Sequence, residues 1–230
     1  AVNLCVLSAE TVTAMDTKLS RLVNVFIKID TGYHRTGIPA EDTDAIDGVL
    51  AAIAQAQNVS FKGFLAHDGH SYGAPNTGVI QLIHDSTMQQ MLELKSQYVE
   101  RHPNVELSIG DTPTCSVCDN FEGMTEIRPG NFVLYDMMMV QIGACTVDQV
   151  AACMAVPVVA KHPEELKVIV YGGGVHFSKD ALTNEYGEKE FGKVVGLNDD
   201  GWTSPIPGWK VKSLSQEHGI LQAESEELFN

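Results

Sequence analysis

Four polar segments carry the side chains that could do chemistry. The first is Asp30-Thr31-Gly32-Tyr33-His34-Arg35-Thr36-Gly37. An acid followed by Gly, Arg and Gly can hold an anion or a ring, with Arg35 as a planar donor. A turn that carries a surface arginine fits the same spacing. The second is His67-Asp68-Gly69-His70-Ser71-Tyr72. Two histidines three apart could bind a metal, but no third ligand stands near them. A strand-end histidine that stacks on a cofactor or hydrogen-bonds locally is the stronger reading. The third runs from Ser108 through Gly110, Asp111, Thr112, Thr114 and Cys115 to Ser116. Small hydroxyl residues and backbone N–H groups after a strand make an anion nest. It is not a Walker loop, because the GKS/T ending is missing. The fourth runs from Glu126 and Arg128 through Pro129, Gly130 and Asn131 to Tyr135 and Asp136. It offers a guanidinium, a Pro-Gly turn and free N–H groups at Gly130 and Asn131, although Arg128 could equally be structural.

The elements that must position these segments can be read from periodicity. In LVNVFIKID (22–30), Val23, Val25, Ile27 and Ile29 share one face, with Phe26, Lys28 and Asp30 on the other, which predicts a strand. Ser8 can cap a helix carrying Val12, Met15 and Leu19, and Asp42 or Thr43 one carrying Ile46, Val49, Leu50 and Ile53. A strand at about 59–66 follows, then a long helix over about 79–100 offering Val79, Leu82, Ile83, Met91, Leu94 and Tyr98, then the strand VELSI. Strand, polar loop and helix in repeated order indicate parallel α/β packing, with chemistry at the loop end of the sheet. Beyond about 140 the texture changes to short apolar runs, VAACMAVPVVA, KVIVYGGG, FGKVV and WKVKSL, which read as a β-rich domain. The Met137-Met138-Met139 run reads as gap-filling core. The opening AVNLCVL reads as a strand without lead-in, and an eight-unit βα barrel needs about 250 residues. Either the sheet is open or the barrel is incomplete, and the opening strand favours the incomplete barrel.

Composition narrows the function classes. With 15 Lys plus Arg against 30 Asp plus Glu among 230 residues, the net charge is −15. That leaves no basic stripe for nucleic acid and disfavours an anionic membrane surface. No apolar run is long enough to span a bilayer, no signal peptide is visible, and the missing initiator Met reads as processing or a fragment. Five scattered cysteines (Cys5, Cys115, Cys118, Cys145, Cys153) do not form a disulfide framework, so a reducing, cytoplasmic setting is expected. The single CxxC at Cys115 and Cys118 reads as ordinary thiols rather than a metal or redox pair.

Taken in order, KIDTGYHRTGI, GFLAHDGHSYG, SIGDTPTCS and EIRPGNFVLYD resemble the D-serine dehydratase and D-threonine aldolase family of pyridoxal phosphate enzymes, which have the alanine-racemase-like fold. IVYGGGVHFSKD and LSQEHG are similar to the β-domain motifs of that family, so the resemblance covers about residues 4 to 222. It implies a (β/α)8 barrel, partial here over 1–140, then a β-domain over 141–230, a homodimer, and pyridoxal phosphate at the barrel mouth. His67 and Tyr72 would lie near the cofactor and Arg35 would be the loop arginine after the D-T-G strand end. Gly110, Asp111, Thr112 and Thr114 would form the phosphate loop. Arg128 would face the pyridine nitrogen and temper the electron sink, Gly130 and Asn131 would give phosphate contacts, and Tyr135 would close the set. The family's Schiff-base lysine segment and its His/Cys or His/Asp zinc pair have no match in this sequence, and Lys28 matches a different family position. Tyr171-Gly172-Gly173 stands where the family has D-A-G.

GDTPTCS and HDGHSY resemble the dehydratase branch more closely. The implied activity is a zinc-assisted lyase reaction in which a lysine removes the α-proton, the β-hydroxyl leaves as water, and D-serine yields pyruvate and ammonia. Cleavage of the Cα–Cβ bond by an aldolase, or a non-catalytic cofactor-binding scaffold, is the alternative.

Overall fold

The computed structural model describes residues 2–178, 180–184, 187–199 and 201–229, so Lys179 of the IVYGGGVHFSKD motif lies outside the described residues. The chain divides into two compact units, residues 1–132 and 133–230.

The first unit is a parallel sheet with alternating helices. Its strands are β1 (Asn3–Val6), β2 (Val23–Asp30), β3 (Ile38–Pro39), β4 (Val59–Leu65), β5 (Glu106–Ile109) and β6 (Glu126–Ile127). They run in the order β1-β2-β4-β5-β6, all parallel, with β3 extending the end of β2. The helices are α1 (Ala9–Lys18), α2 (Thr43–Gln55), α3 (Thr77–Tyr98) and the short α4 (Thr112–Val117). Each begins where a side-chain oxygen satisfies an otherwise orphaned N–H. Ser8 accepts from Thr11 at 3.2 Å, Asp42 from Ala45 at 3.0 Å, Asn76 from Val79 at 3.1 Å and Asp111 from Thr114 at 2.8 Å.

The core lies on the helix side of the sheet. Val25, Ile27 and Ile29 of β2, Phe64, Leu107 and Ile109 pack against Ile46, Val49, Leu50 and Ile53 of α2 and Met91, Leu94 and Tyr98 of α3. In α3 the inward positions also include Ile80 and Met88, while Leu82, a burial candidate by type, is 68% exposed. Strand alternation puts Phe26, Lys28 and Asp30 on the opposite, inner face.

The second unit is β-rich. After α5 (Met137–Gln141) come β7 (Val158–His162), β8 (Lys167–Val170), β9 (Leu182–Thr183), β10 (Lys189–Glu190), β11 (Leu197–Asn198), β12 (Gly201–Trp202), β13 (Trp209–Leu214), β14 (Gly219–Ala223) and α6 (Glu226–Phe229). Its main sheet is antiparallel in the order β13-β14-β8-β7, and β9–β10 and β11–β12 form separate ribbons. Of the run VAACMAVPVVA only the part after Pro157 is strand, in keeping with the missing proline N–H. FGKVV contributes a single bridge, Lys193 to Lys210. Met139 is buried at 1% exposure, and Met137 and Met138 help line a cavity of about 510 Å³ within this unit. Among the described residues no helix is long and apolar enough to cross a membrane.

Candidate active site

The polar loops follow the C-terminal ends of β2, β4, β5 and β6, which are neighbours in the sheet. After β2, Asp30 organises its own loop. Its Oδ1 accepts the N–H groups of Gly32 and His34, both at 3.0 Å. Burial alone would raise this carboxyl; the two backbone donors and the nearby His34 outweigh it and hold the group below its ordinary value. His34 adopts a left-handed backbone (φ 55), which turns the chain so that Tyr33 meets the next loop. The Tyr33 ring stacks on His70 at 6.2 Å and meets His67 edge-on at 5.8 Å. Arg35 is exposed, and its guanidinium carbon lies 4.7 Å from the centroid of the Tyr33 ring. Gly69 makes this possible, because a Cβ there would sit 2.2 Å from Tyr33 Cε1.

After β4 and β5, two fully buried carboxylates, Asp68 and Asp111, anchor the loops. Asp68 Oδ1 accepts from Thr31 at 2.8 Å and from Thr87 of α3 at 2.7 Å. Its Oδ2 has no hydrogen-bond partner among the described residues, and neither has His70 Nδ1. Burial pushes the Asp68 carboxyl above its ordinary value, and the charge of Asp111 adds to the effect against the hydroxyl bonds. Asp111 is better satisfied: it accepts from Ser71 at 2.7 Å, from Thr114 N–H at 2.8 Å and from Thr114 Oγ1 at 2.6 Å. His67 Nδ1 bonds Gly110 O at 2.7 Å. Tyr72 Oη accepts the Thr112 N–H at 3.1 Å, and Thr112 Oγ1 accepts the Asn131 N–H at 2.8 Å.

Arg128 closes the group from β6. Its Nε donates to Ser108 Oγ at 2.6 Å, and its Nη2 reaches Ala66 O at 2.6 Å and Ser108 O at 3.2 Å. Glu126 Oε1 is 3.4 Å from Nε. Burial lowers the affinity of this guanidinium for its proton, and Glu126 works against that. Gly110 permits the approach: its φ is 158°, and a Cβ there would lie 2.4 Å from Arg128 N.

At this end of the sheet His67 is bonded to Gly110, Tyr72 to Thr112 and Thr112 to Asn131, and Asp111 to Thr114, while Arg128 is anchored on Ala66 and Ser108 and Arg35 meets the group through Tyr33. The Asn131 N–H donates to the Thr112 hydroxyl, and Gly130 is exposed. Tyr135 belongs to the second unit and has a left-handed backbone (φ 50). Sequence reading passed over Tyr33, Ser108 and Thr87 as individual site residues. Ser108 was detectable only through register, since it shares the inner face with Glu126.

No three His, Cys, Asp or Glu side chains among the described residues come together to hold a metal ion. His67 and His70 are engaged with Gly110 and Tyr33 instead. Burial raises the Cys115 thiol and pushes Cys118 to about 11, the opposite of what a thiolate ligand or redox pair needs.

Residues 2–137 match the family model for the alanine racemase N-terminal domain. The chain belongs to this family. Residues 151–229 match the model described as a putative serine dehydratase domain. Among curated proteins, the chain is 28% identical over 221 residues to a D-threo-3-hydroxyaspartate dehydratase of Delftia sp. (strain HT23), covering 94% of this chain and 56% of the relative. It is 29% identical over 207 residues to a D-serine dehydratase of Dictyostelium discoideum, covering 87% and 51%. The solved Delftia structure superposes with a TM-score of 0.83 at 26% identity, over 96% of this chain and 59% of that one. A D-threonine aldolase from Filomicrobium marinum shares the fold, with a TM-score of 0.74 at 17% identity over 98% and 57% of the two chains. The chain spans about half the length of the curated relatives it matches. Its fold is alanine-racemase-like, a partial βα barrel followed by a β unit.

Proposed function

We propose that this chain forms the cofactor cradle of a pyridoxal phosphate-dependent lyase that dehydrates a D-3-hydroxy amino acid, with D-serine, giving pyruvate and ammonia, as the first substrate to test. The observation that carries this reading is the convergence of His67, Tyr72, Thr112 and Arg128 at the ends of adjacent parallel strands. The donor chemistry fits the cofactor. Tyr72 accepts from Thr112, and no acceptor among the described residues takes its phenolic proton, which leaves that proton for an anion. A flat group finds a platform of aromatic side chains in Tyr33, His67 and His70.

Arg128 and His67 would hold the ring, and Tyr72, Thr112 and Gly130 the phosphate. When bound, the cofactor supplies an electron sink for negative charge at the substrate α-carbon. The chain's own part is orientation and exclusion of water. Gly110 O fixes the His67 ring, Ser108 and Ala66 O fix Arg128, and the buried Asp68 and Asp111 hold the loops through hydroxyl groups. The described residues do not fit a zinc ion, so no step is assigned to one. The barrel-domain and β-domain assignments (1–140 and 141–230), a cytoplasmic setting and a homodimer complete the proposal.

The test offers D-serine, D-threo-3-hydroxyaspartate and D-threonine to the protein supplied with pyridoxal phosphate. Release of a 2-oxo acid with ammonia supports a dehydratase. Release of glycine with an aldehyde reassigns the chain to the aldolase reaction. Neither product, together with no retained cofactor, overturns the proposal.

A further inference from the structure

Lys28 lies on the inner face of the sheet, one residue pair before the end of β2. Register places it in a row across four strands: Lys28 pairs with Leu65, Leu65 with Ser108, and Ser108 with Glu126. Paired residues of parallel strands point to the same face. Arg128 reaches back over this row to Ala66 O, the residue after Leu65, and so brings its guanidinium towards Lys28. On the far side, Cys5 of β1 occupies the inner face beside Phe26. Glu126, the carboxylate at the end of the row, is already engaged by Ser108 and Arg128.

Lys28 itself has no hydrogen bond or ion pair among the described residues, although it is half-buried. Every other lysine of the first unit that is half-buried has a partner: Lys62 pairs with Glu106 at 3.3 Å, and Lys95 reaches Gly123 O at 3.5 Å. A half-buried ammonium beside a guanidinium with no acceptor of its own is an arrangement that an anion completes. The electrostatics agree. Burial lowers the Lys28 amine, the charges of Arg128 and Arg35 lower it further, and Cys5 and Asp68 pull the other way without reversing the direction.

We infer that Lys28 is a substrate-binding residue: its ammonium takes a carboxylate of the amino-acid substrate on the inner face of the sheet, beside Arg128. This rests on the proposed lyase reading and deepens it by naming what recognises the substrate's charge. Two carboxylates qualify, the one every amino acid carries and the second one of a 3-hydroxy dicarboxylic substrate.

The decisive experiment needs neither turnover nor a variant. The wild-type chain is reductively methylated in the presence of malate or of lactate, and modification is followed by peptide mass spectrometry with the exposed Lys18 as internal reference. Protection of Lys28 by both acids assigns the shared α-type carboxylate. Protection by malate alone assigns the side-chain carboxylate. Protection by neither overturns the inference. In the active protein, Lys28→Met should raise KM by about tenfold to a hundredfold with a much smaller change in kcat, the loss expected for one charge-assisted contact, and Lys28→Arg should recover most of it. Turnover with KM unmoved by Lys28→Met sinks the inference and leaves the lyase reading standing. Protection of Lys28 in a protein that turns over none of the three amino acids does the reverse.

Discussion

Thr87 reaches out of the middle of α3 to the loop after β4: its hydroxyl donates to Asp68 Oδ1 at 2.7 Å, and both side chains are fully buried. Thr31 donates to the same oxygen at 2.8 Å from the loop after β2, so one carboxylate joins two strand ends to a helix. Asp111 does the same for Ser71 and Thr114. Hydroxyl donors at this depth do what backbone ladders cannot do in loops, which is to fix side-chain positions without a regular element.

Asp68 and Asp30 should leave opposite marks on stability against pH. The folded-state value of Asp68 is raised above 3.8, so between that value and the raised one the native state binds more protons than the unfolded state. Its stability contribution is therefore greatest in acid and declines as pH rises through the raised value. Asp30 is lowered below 3.8, so its contribution is complete above that value and is lost as pH falls through the lowered one. Urea unfolding across pH checks both. Relative to Asp68→Asn, the wild type should lose stability towards neutral pH; relative to Asp30→Asn, it should gain. The same slope for both pairs would refute the assignment.

Most of the first unit was legible because each signal was local. Alternation through Val25, Ile27 and Ile29 marked β2, and the stripe Ile46, Val49, Leu50 and Ile53 together with the Asp42 cap marked α2. The four loops were legible as chemistry-bearing because Gly and Pro punctuate them. What stayed hidden depends on register and tertiary approach. Thr87 looks like any polar helix residue until α3 docks over the Asp68 loop. Nothing in the sequence pairs the Asn131 N–H with the Thr112 hydroxyl. The second unit was legible only as β-rich, because short apolar runs do not say which residues pair, and Ala151–Ala155 carry no strand at all.

Gly69→Ala should disturb the aromatic wall rather than the backbone. The added methyl would meet the Tyr33 ring at 2.2 Å, and Tyr33 carries both the His70 stack and the Arg35 contact. Overpacking of this kind costs roughly 1–3 kcal/mol. Tyr33→Ala removes the obstacle, so the double variant should be clearly more stable than the sum of the two single losses. Strict additivity in thermal unfolding would show that Gly69 is not held for Tyr33.

Arg128→Ala should weaken pyridoxal phosphate binding and also loosen the sheet end, since it abandons Ala66 O, Ser108 and Glu126 together. Loss of hydrogen bonds to a charged group costs about 1.5–3 kcal/mol. Arg128→Lys keeps the charge but lacks the planar fork, so it should restore only part of either property. Cofactor titration and denaturant unfolding on the same samples separate the two effects. Unchanged cofactor affinity in both variants would leave Arg128 a structural strut.

Tyr72→Phe should discriminate between the phosphate and the ring of the cofactor. The phenol oxygen accepts the Thr112 N–H, and its own proton has no acceptor among the described residues. Tyr72 sits half-buried beside a loop whose other N–H groups are largely spent: Thr114 donates to Asp111 and Asn131 to Thr112. In a protein of net charge −15, an anion stays only where such a donor outweighs the surrounding field. Removing the hydroxyl should therefore weaken pyridoxal phosphate and inorganic phosphate by about tenfold, the worth of one charge-assisted hydrogen bond, and leave pyridoxal nearly untouched. Stability should also fall, by about 1–3 kcal/mol, because the N–H of the fully buried Thr112 loses its acceptor. Equal weakening of pyridoxal and pyridoxal phosphate would move Tyr72 from the phosphate to the ring. No weakening of either would remove it from the site.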